Sequence, residues 1–158
     1  MIARYAPLDP ELLRGLIADT EALARFLERA EDDDELALDA DKSWHGIHYL
    51  LCGSAWEGEG ALAKLAFGGD KVGEEDWGYG PVRVLTPDDV VSIRAALETV
   101  DFSSLRGRFE KEVLGNREIL PGFDDASDFD YLEYHFDRIR AWFGKSAESG
   151  AGMLAWIS

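Results

Sequence analysis

The spacing of apolar and polar positions predicts a mostly helical chain with short strands at both ends. Residues 2–8 suit a short strand, and Asp9-Pro10-Glu11 then supplies a cap, a proline and a carboxylate for a helix start. A second helix is predicted over residues 20–30, because its apolar positions lie about one turn apart: Leu23, Phe26 and Leu27.

Residues 39–56 are predicted to hold a central helix. Asp39 or Asp41 is expected as its N-cap, and Gly53 as its end. Its apolar face follows helical periodicity through Trp44, Ile47, His48 and Leu51. The segment also holds two of the three histidines and the single cysteine, so it is the first place to test for chemistry.

The following segment, residues 58–80, is rich in glycine and predicts irregular connections around one short helix near residues 61–67. Residues 81–85 suit a brief strand. Thr86-Pro87-Asp88-Asp89 then has the composition of a capped helix start, with a hydroxyl cap, a proline and two carboxylates.

The C-terminal part predicts one or two short helices over residues 102–114, a turn at Pro121-Gly122 and the longest helix over residues 128–147. Residues 153–157 predict a final strand. Pairing of the first and last strands, with the central one as a third candidate, gives a mostly helical α+β fold with a small sheet. We expect one domain over residues 1–158, because no linker divides the chain.

The formal charge of −16 excludes the function classes that need a basic surface. Nucleic acids and anionic membranes are repelled, whereas a basic protein or a cationic ligand is attracted. Five adjacent carboxylates at residues 31–35 predict a solvated loop. No apolar run approaches the ~20 residues of a membrane span, and the first residues lack a secretory signal. A lone cysteine agrees with the cytoplasm, where we expect the protein.

One metal hypothesis involves His45, His48 and Cys52 on one helical face, with His135 as a fourth zinc ligand. A single helix rarely converges three ligands, and the alternative is a half-buried histidine beside a small apolar cysteine. We therefore expect no metal and no cofactor.

Other chemical motifs fail on their context. A dinucleotide-like pattern begins at Gly58 but follows a helix and includes Glu59, which would repel a pyrophosphate. A calcium loop counted from Asp124 lacks the glycine and glutamate that it needs. Gly144-Lys145-Ser146 resembles the end of a phosphate-binding loop but lies in a predicted helix.

Two kinds of site stay open. His48 or His135 could work as an acid or base with a carboxylate such as Glu133, because such pairs assemble in space. Trp77 and Tyr79 lie between glycines, where large aromatic side chains either close the core from outside or line a pocket.

The segment from Leu38 to Gly53, which contains Asp41-Lys-Ser-Trp44 and His48, resembles the YfbM-like family of small bacterial proteins of unknown function. The run Gly78-Tyr-Gly-Pro-Val-Arg83-Val-Leu-Thr86 resembles a second landmark, and the C-terminal strand also fits. The resemblance implies a compact α+β domain of the bacterial cytoplasm, without an established reaction. Its landmark positions are Asp41, Trp44, His48, Tyr79, Arg83 and Thr86.

Three functional hypotheses follow. The first is a non-catalytic acidic binding protein, such as an inhibitor or immunity-type partner of a basic protein. The second is a small-molecule-binding protein or enzyme with a pocket near His48, Trp77, Tyr79 and Arg83. The third is an oligomer whose interface carries the exposed aromatics. Together the candidate site residues are Asp41, Trp44, His48, Trp77, Tyr79 and Arg83.

Overall fold

A computed structural model describes residues 1–73 and 76–158 of the chain. Glu74 and Glu75, in the glycine-rich segment, lie outside the described residues. The described residues form seven α-helices: Pro10–Ala18 (α1), Thr20–Glu31 (α2), Trp44–Cys52 (α3), Gly60–Phe67 (α4), Pro87–Glu98 (α5), Arg106–Arg108 (α6) and Asp128–Glu148 (α7). None of these helices is long and apolar enough to cross a membrane.

A five-stranded antiparallel sheet lies at the centre of the molecule. Its strands are Ala3–Leu8 (β1), Leu38–Asp39 (β2), Asp70–Val72 (β3), Val82–Leu85 (β4) and Gly152–Ile157 (β5), in the spatial order β2-β1-β5-β4-β3. The first and last long strands pair along their whole length, from Ala3 opposite Ile157 to Leu8 opposite Gly152. The predicted mostly helical α+β fold is confirmed.

Helices cover both faces of this sheet. Side chains alternate along β5, so Met153 and Ala155 pack in the larger core cluster, while Leu154 and Trp156 pack in the smaller one. The larger cluster includes side chains of α3, α4, α5 and α7, and the smaller one includes side chains of α1 and α2. This division decides on which side of the sheet each candidate residue lies.

Three local predictions need correction. Two strands, β2 and β3, were missed because they have only two and three residues and exist through pairing with β1 and β4. Neither Asp39 nor Asp41 caps α3: a 3-10 turn over Asp41–Ser43 leads into the helix, and Asp39 accepts the N–H of Asp41 at 2.6 Å. The region after Phe102 forms a 3-10 turn, the short α6 and a π-helical turn over Phe109–Val113.

The start of α5 shows how strongly a local sequence signal can determine structure. The Thr86 hydroxyl accepts the Asp89 N–H at 3.1 Å, and the Asp89 carboxylate accepts the Thr86 N–H at 3.0 Å. This reciprocal capping box satisfies two of the amide groups that a helix start leaves without partners. The landmark residue Thr86 therefore has a structural role at the end of β4.

Candidate functional site

Helix α3 buries two histidines beside the apolar side chains that it contributes to the larger core cluster. Its apolar positions face the core, and Gly53 ends the helix with a φ of 75°, the left-handed conformation that suits glycine. The loop after Gly53 folds back along the helix, because both histidines bond to its carbonyl groups. The predicted helix end is confirmed, and the loop becomes part of the candidate site.

His45 is fully buried, and both of its ring nitrogens are engaged. Nε2 donates to the Ala55 carbonyl at 2.6 Å, and Nδ1 accepts the Leu120 N–H at 3.0 Å. These partners assign the proton to Nε2 of a neutral ring. Burial lowers the His45 pKa, an effect only partly opposed by the Ala55 bond. His45 therefore joins two loops and has no nitrogen left for a metal.

His48 is only 1% exposed but makes one hydrogen bond where His45 makes two. Its Nε2 donates to the Glu57 carbonyl at 3.2 Å, whereas Nδ1 has no partner among the described residues. Burial lowers the His48 pKa; the Glu57 bond raises it and the neighbouring His45 lowers it further. The ring is therefore neutral near pH 7, and its Nδ1 is an unused acceptor.

Aromatic rings around these histidines extend from the core to the surface. The Trp44 ring stacks on His45 with centroids 4.7 Å apart, and Phe67 lies 5.8 Å from Trp44 and 4.8 Å from His48. At the surface, Trp56 is 53% exposed and Tyr79 is 50% exposed. We call Trp56, Phe67 and Tyr79 the aromatic patch.

A cleft of about 420 Å³ opens beside Trp56, between the loop after α3 and helix α4. We call it the His48 cleft; the residues used below are His48, Trp56, Glu57, Ala63, Lys64 and Phe67. The Lys64 ammonium is paired with the Asp89 carboxylate at the start of α5. The cleft thus combines aromatic walls, one neutral imidazole and one neutralised lysine, and its volume suits a small ligand.

Tyr79 and Arg83 line a separate small cavity of about 20 Å³ against β1 and β5. This space holds about one water molecule, so it is not a ligand pocket. Phe67 lines both this cavity and the His48 cleft, and Trp44 contacts both Phe67 and Tyr79. The structure thus brings Trp44, His48, Tyr79 and Arg83 into one neighbourhood.

Two predicted site residues lie elsewhere. Trp77 is half-buried against the smaller core cluster, where it lines a space of about 60 Å³ with Leu23 and Val72. It therefore packs on the α1–α2 side of the sheet. The pocket expected from His48, Trp77, Tyr79 and Arg83 is consequently not assembled as one cavity.

Asp41 lies near α7 rather than near the His48 cleft. It adopts a φ of 50°, a left-handed conformation that aspartate tolerates better than most residues. Burial raises the Tyr131 pKa above its usual range, and the Asp41 carboxylate raises it further. Burial lowers the His135 pKa, as does Arg138, whereas Asp41 opposes that effect. Asp41 thus belongs to a second polar cluster with Tyr131 and His135, next to the edge strand β2.

The remaining chemical candidates do not converge on one centre. Within residues 1–73 and 76–158, no group of three histidine, cysteine or acidic side chains is placed to hold a metal ion. Glu133 accepts a hydrogen bond from the Ser103 hydroxyl at 2.5 Å, which engages the carboxylate considered as an acid–base partner. Burial raises the Cys52 pKa, so its thiol is protonated near pH 7.

Trp56, Phe67 and Lys64 are candidate site residues that the sequence reasoning missed. The signal for Trp56 was present: a large aromatic residue beside glycines, as for Trp77 and Tyr79. Phe67 and Lys64 give no local signal, because their roles depend on how α4 packs against α3 and α5.

Comparison with known proteins agrees with this fold. The solved structure of YfbM, a protein of unknown function from Escherichia coli, is similar with a TM-score of 0.76 and 20% sequence identity, and the match covers 98% of each chain. No curated protein matches the chain. The model of a family described as a domain of unknown function, DUF1877, matches residues 1–156. The chain therefore belongs to this YfbM-like family of unknown function.

Proposed function

We propose that the protein is a non-catalytic acidic binding protein for a basic protein, of the inhibitor or immunity type, and that the aromatic patch is its contact surface. The observation that carries the proposal is the exposure of Trp56 and Tyr79 above a continuous aromatic cluster. The lone cysteine supports a cytoplasmic setting.

Exposed Trp and Tyr side chains suit the centre of a protein interface. Such residues supply much of the binding energy of interfaces, because they bury a large area with few rotatable bonds. Here both exposed rings already pack against buried rings. The Trp56 and His45 ring centroids are 4.4 Å apart, and the Tyr79 and Trp44 centroids are 6.3 Å apart. A side chain that is already packed loses little conformational entropy when a partner covers it.

Charge around the aromatic patch favours a basic partner. The carboxylates of Glu57 and Glu59 are exposed beside Trp56, and exposed Asp76 lies three residues before Tyr79. The Gly80 and Gly78 amides bond to Asp76 and lower its pKa, which keeps this carboxylate ionised. Together with the net charge of −16, these groups would steer a cationic surface toward the exposed rings.

A second candidate function is small-molecule binding in the His48 cleft. The observation in its favour is the buried Nδ1 of His48, which lacks a hydrogen-bond partner among the described residues. Unused polar groups beside a cleft are typical of ligand sites. We rank this function second, since the expected four-residue pocket is divided between cavities.

The test is retention of a basic protein from an extract of the source organism, followed by binding measurements with that purified protein. We expect the affinity to fall with added salt, and to fall at least tenfold in Trp56→Ala and Tyr79→Ala, the usual effect of removing a central interface aromatic. Tyr134→Ala is the matched control, because Tyr134 is 59% exposed on α7. Equal losses in all three variants, or salt-independent binding, would contradict the proposal.

A further inference from the structure

The His48 cleft has a shape and chemistry that narrow what a partner could place in it. At about 420 Å³ it is larger than an ammonium group alone needs, and it has room for one long side chain with its flanking backbone. It lies beside exposed Trp56, at the edge of the aromatic patch. Its occupant would therefore be attached to whatever covers that patch.

Three rings, those of His48, Trp56 and Phe67, form part of the wall of the cleft. The Trp56 and Phe67 rings lie 5.9 Å apart at an angle of 40°, and the His48 ring lies 4.8 Å from Phe67 at 81°. The rings are therefore inclined to one another rather than stacked in parallel. Because they line the cleft and are not stacked in parallel, they can offer a ring face to its interior, and ring faces attract organic cations.

Charge at the cleft also favours a cation. Glu57 lines the cleft and is exposed, and Glu59 is exposed two residues further along the same loop. Lys64 is the cationic side chain among the described residues of the lining, and its pairing with Asp89 offsets its repulsion of a second cation. An anionic ligand would be repelled by Glu57, and the Lys64 charge that could compensate is already paired.

We propose that the His48 cleft receives the cationic side chain of one lysine or arginine of the basic partner. The inference rests on the proposed function, and it adds the group that is recognised and the place where it binds. The alkyl part of that side chain lies along Ala63 and Phe67, and its charged end lies between the Trp56 ring and the Glu57 carboxylate. The exposed rings nearby then cover the surrounding surface of the partner.

The test uses small probes that do not depend on knowing the partner. Acetyl-lysinamide and acetyl-argininamide are titrated into the full chain, and the indole N–H signal of Trp56, assigned with a Trp56→Phe variant, is followed by NMR. We expect saturable shifts with both cations, weaker at high salt, and none with acetyl-norleucinamide, which has the alkyl chain without the charge.

Two variants test the groups involved, and binding to them is followed by the backbone amide signals of Ala63 and Lys64, which line the cleft, because Trp56→Leu has no indole signal at this position. Trp56→Leu keeps an apolar side chain but removes the ring, and we expect about tenfold weaker binding of the cationic amides. Glu57→Gln should weaken binding about threefold, and Tyr134→Ala should leave it unchanged. Equal binding of the norleucine amide, or unchanged binding in Trp56→Leu, would overturn the proposal. Tighter binding of choline than of either amide would also overturn it, in favour of a free small cation.

The outcomes separate this inference from the proposed function. If the amides bind as expected but no basic protein is retained, the cleft chemistry stands and the proposed function fails. If a basic protein binds through Trp56 and Tyr79 but the amides do not bind, the proposed function stands and this inference fails.

Discussion

His45 and His48 lie one helical turn apart, and the difference between them depends on their hydrogen bonds. The fully buried His45 uses both ring nitrogens, so its imidazole connects α3 to the loops at Ala55 and Leu120. His48 uses only Nε2, and its ring lines a cleft. A buried acceptor without a partner is unfavourable for stability, which makes His48 the residue that a ligand or partner would affect more.

The stability of the protein should decrease as the pH falls below about 6.5, the ordinary histidine pKa. Burial lowers the pKa of His45, His48 and His135 in the folded state, so the unfolded chain binds protons first. For each histidine that stays neutral in the folded state, the free energy of unfolding then falls by about 1.4 kcal/mol for each pH unit of decrease. Urea unfolding between about pH 7.5 and about pH 5.5 measures the effect, above the carboxylate range.

The control for this prediction is His48→Gln, which removes one titrating ring and keeps a side-chain donor for the Glu57 carbonyl. We expect its unfolding free energy to depend less on pH than that of the unmodified chain, and the difference should equal the contribution of one histidine. A stability that does not change over this pH range in the unmodified chain would contradict the pKa directions.

At the scale of elements, α3 packs so closely against the segment after Pro121 that one helical position excludes a side chain. A Cβ atom at Gly46 would lie 2.8 Å from the Phe123 ring and 3.0 Å from Leu132. By contrast, a Cβ at Gly144 on α7 would meet no atom within 4 Å. The same substitution should therefore have opposite effects on the two helices.

We expect Gly144→Ala to stabilise the protein by about 0.5–1 kcal/mol, the ordinary gain of alanine over glycine inside a helix. Gly46→Ala should destabilise it by about 1–2 kcal/mol, since overpacking exceeds the helical gain. Urea denaturation of both variants measures the difference. Stabilisation by Gly46→Ala would show that the segment carrying Phe123 yields easily, and would contradict close packing at α3.

Elements with strong local signals could be predicted from the sequence, whereas those formed by pairing could not. The Thr86 cap, the Gly53 end of α3 and the long periodicity of α7 are all local, and each is confirmed. Strand β2 has two residues and no apolar alternation, so only its pairing with β1 defines it. Strand β3 has three residues and was missed for the same reason, since it is defined by its pairing with β4.

The candidate site follows the same division between local and long-range causes. His48, Trp44 and Tyr79 stood out by residue type and spacing, and the structure places them near one another. Phe67 lines both the His48 cleft and the small cavity beside Tyr79. It gave no signal in the sequence, because only the tertiary packing of α4 brings it there. Trp77 shared the signal of Tyr79, but it lies on the other side of the sheet.

For the whole molecule, sequence reasoning about charge applies most directly, because net charge is a sum over residues. The chain carries 32 acidic and 16 basic residues, and its ion pairs in the described residues are mostly exposed, such as Arg25–Glu21 and Arg94–Glu98. Exposed pairs of this kind contribute little to stability. Repulsion among the excess carboxylates is therefore the main long-range electrostatic effect on the folded state.

Added salt should therefore stabilise the protein. Raising the ionic strength screens the repulsion, because its range becomes shorter than the distance between most surface charges. Salt also weakens the favourable exposed ion pairs, but the stabilisation lost there is smaller than the repulsion removed. We expect the melting temperature to rise by a few degrees between low salt and about 0.5 M sodium chloride, equivalent to roughly 0.5–1 kcal/mol.

The acidic run after α2 supplies the matched variant for this prediction. Asp32 and Asp34 are exposed there, whereas Asp33 accepts the Glu35 N–H at 2.9 Å and is left unchanged. Asp32→Asn with Asp34→Asn removes two charges without removing that bond, so the variant should be more stable than the unmodified chain at low salt. The two should converge at high salt, where screening has already removed the repulsion. A constant difference at all salt concentrations would mean that these aspartates act through local structure rather than through the net charge.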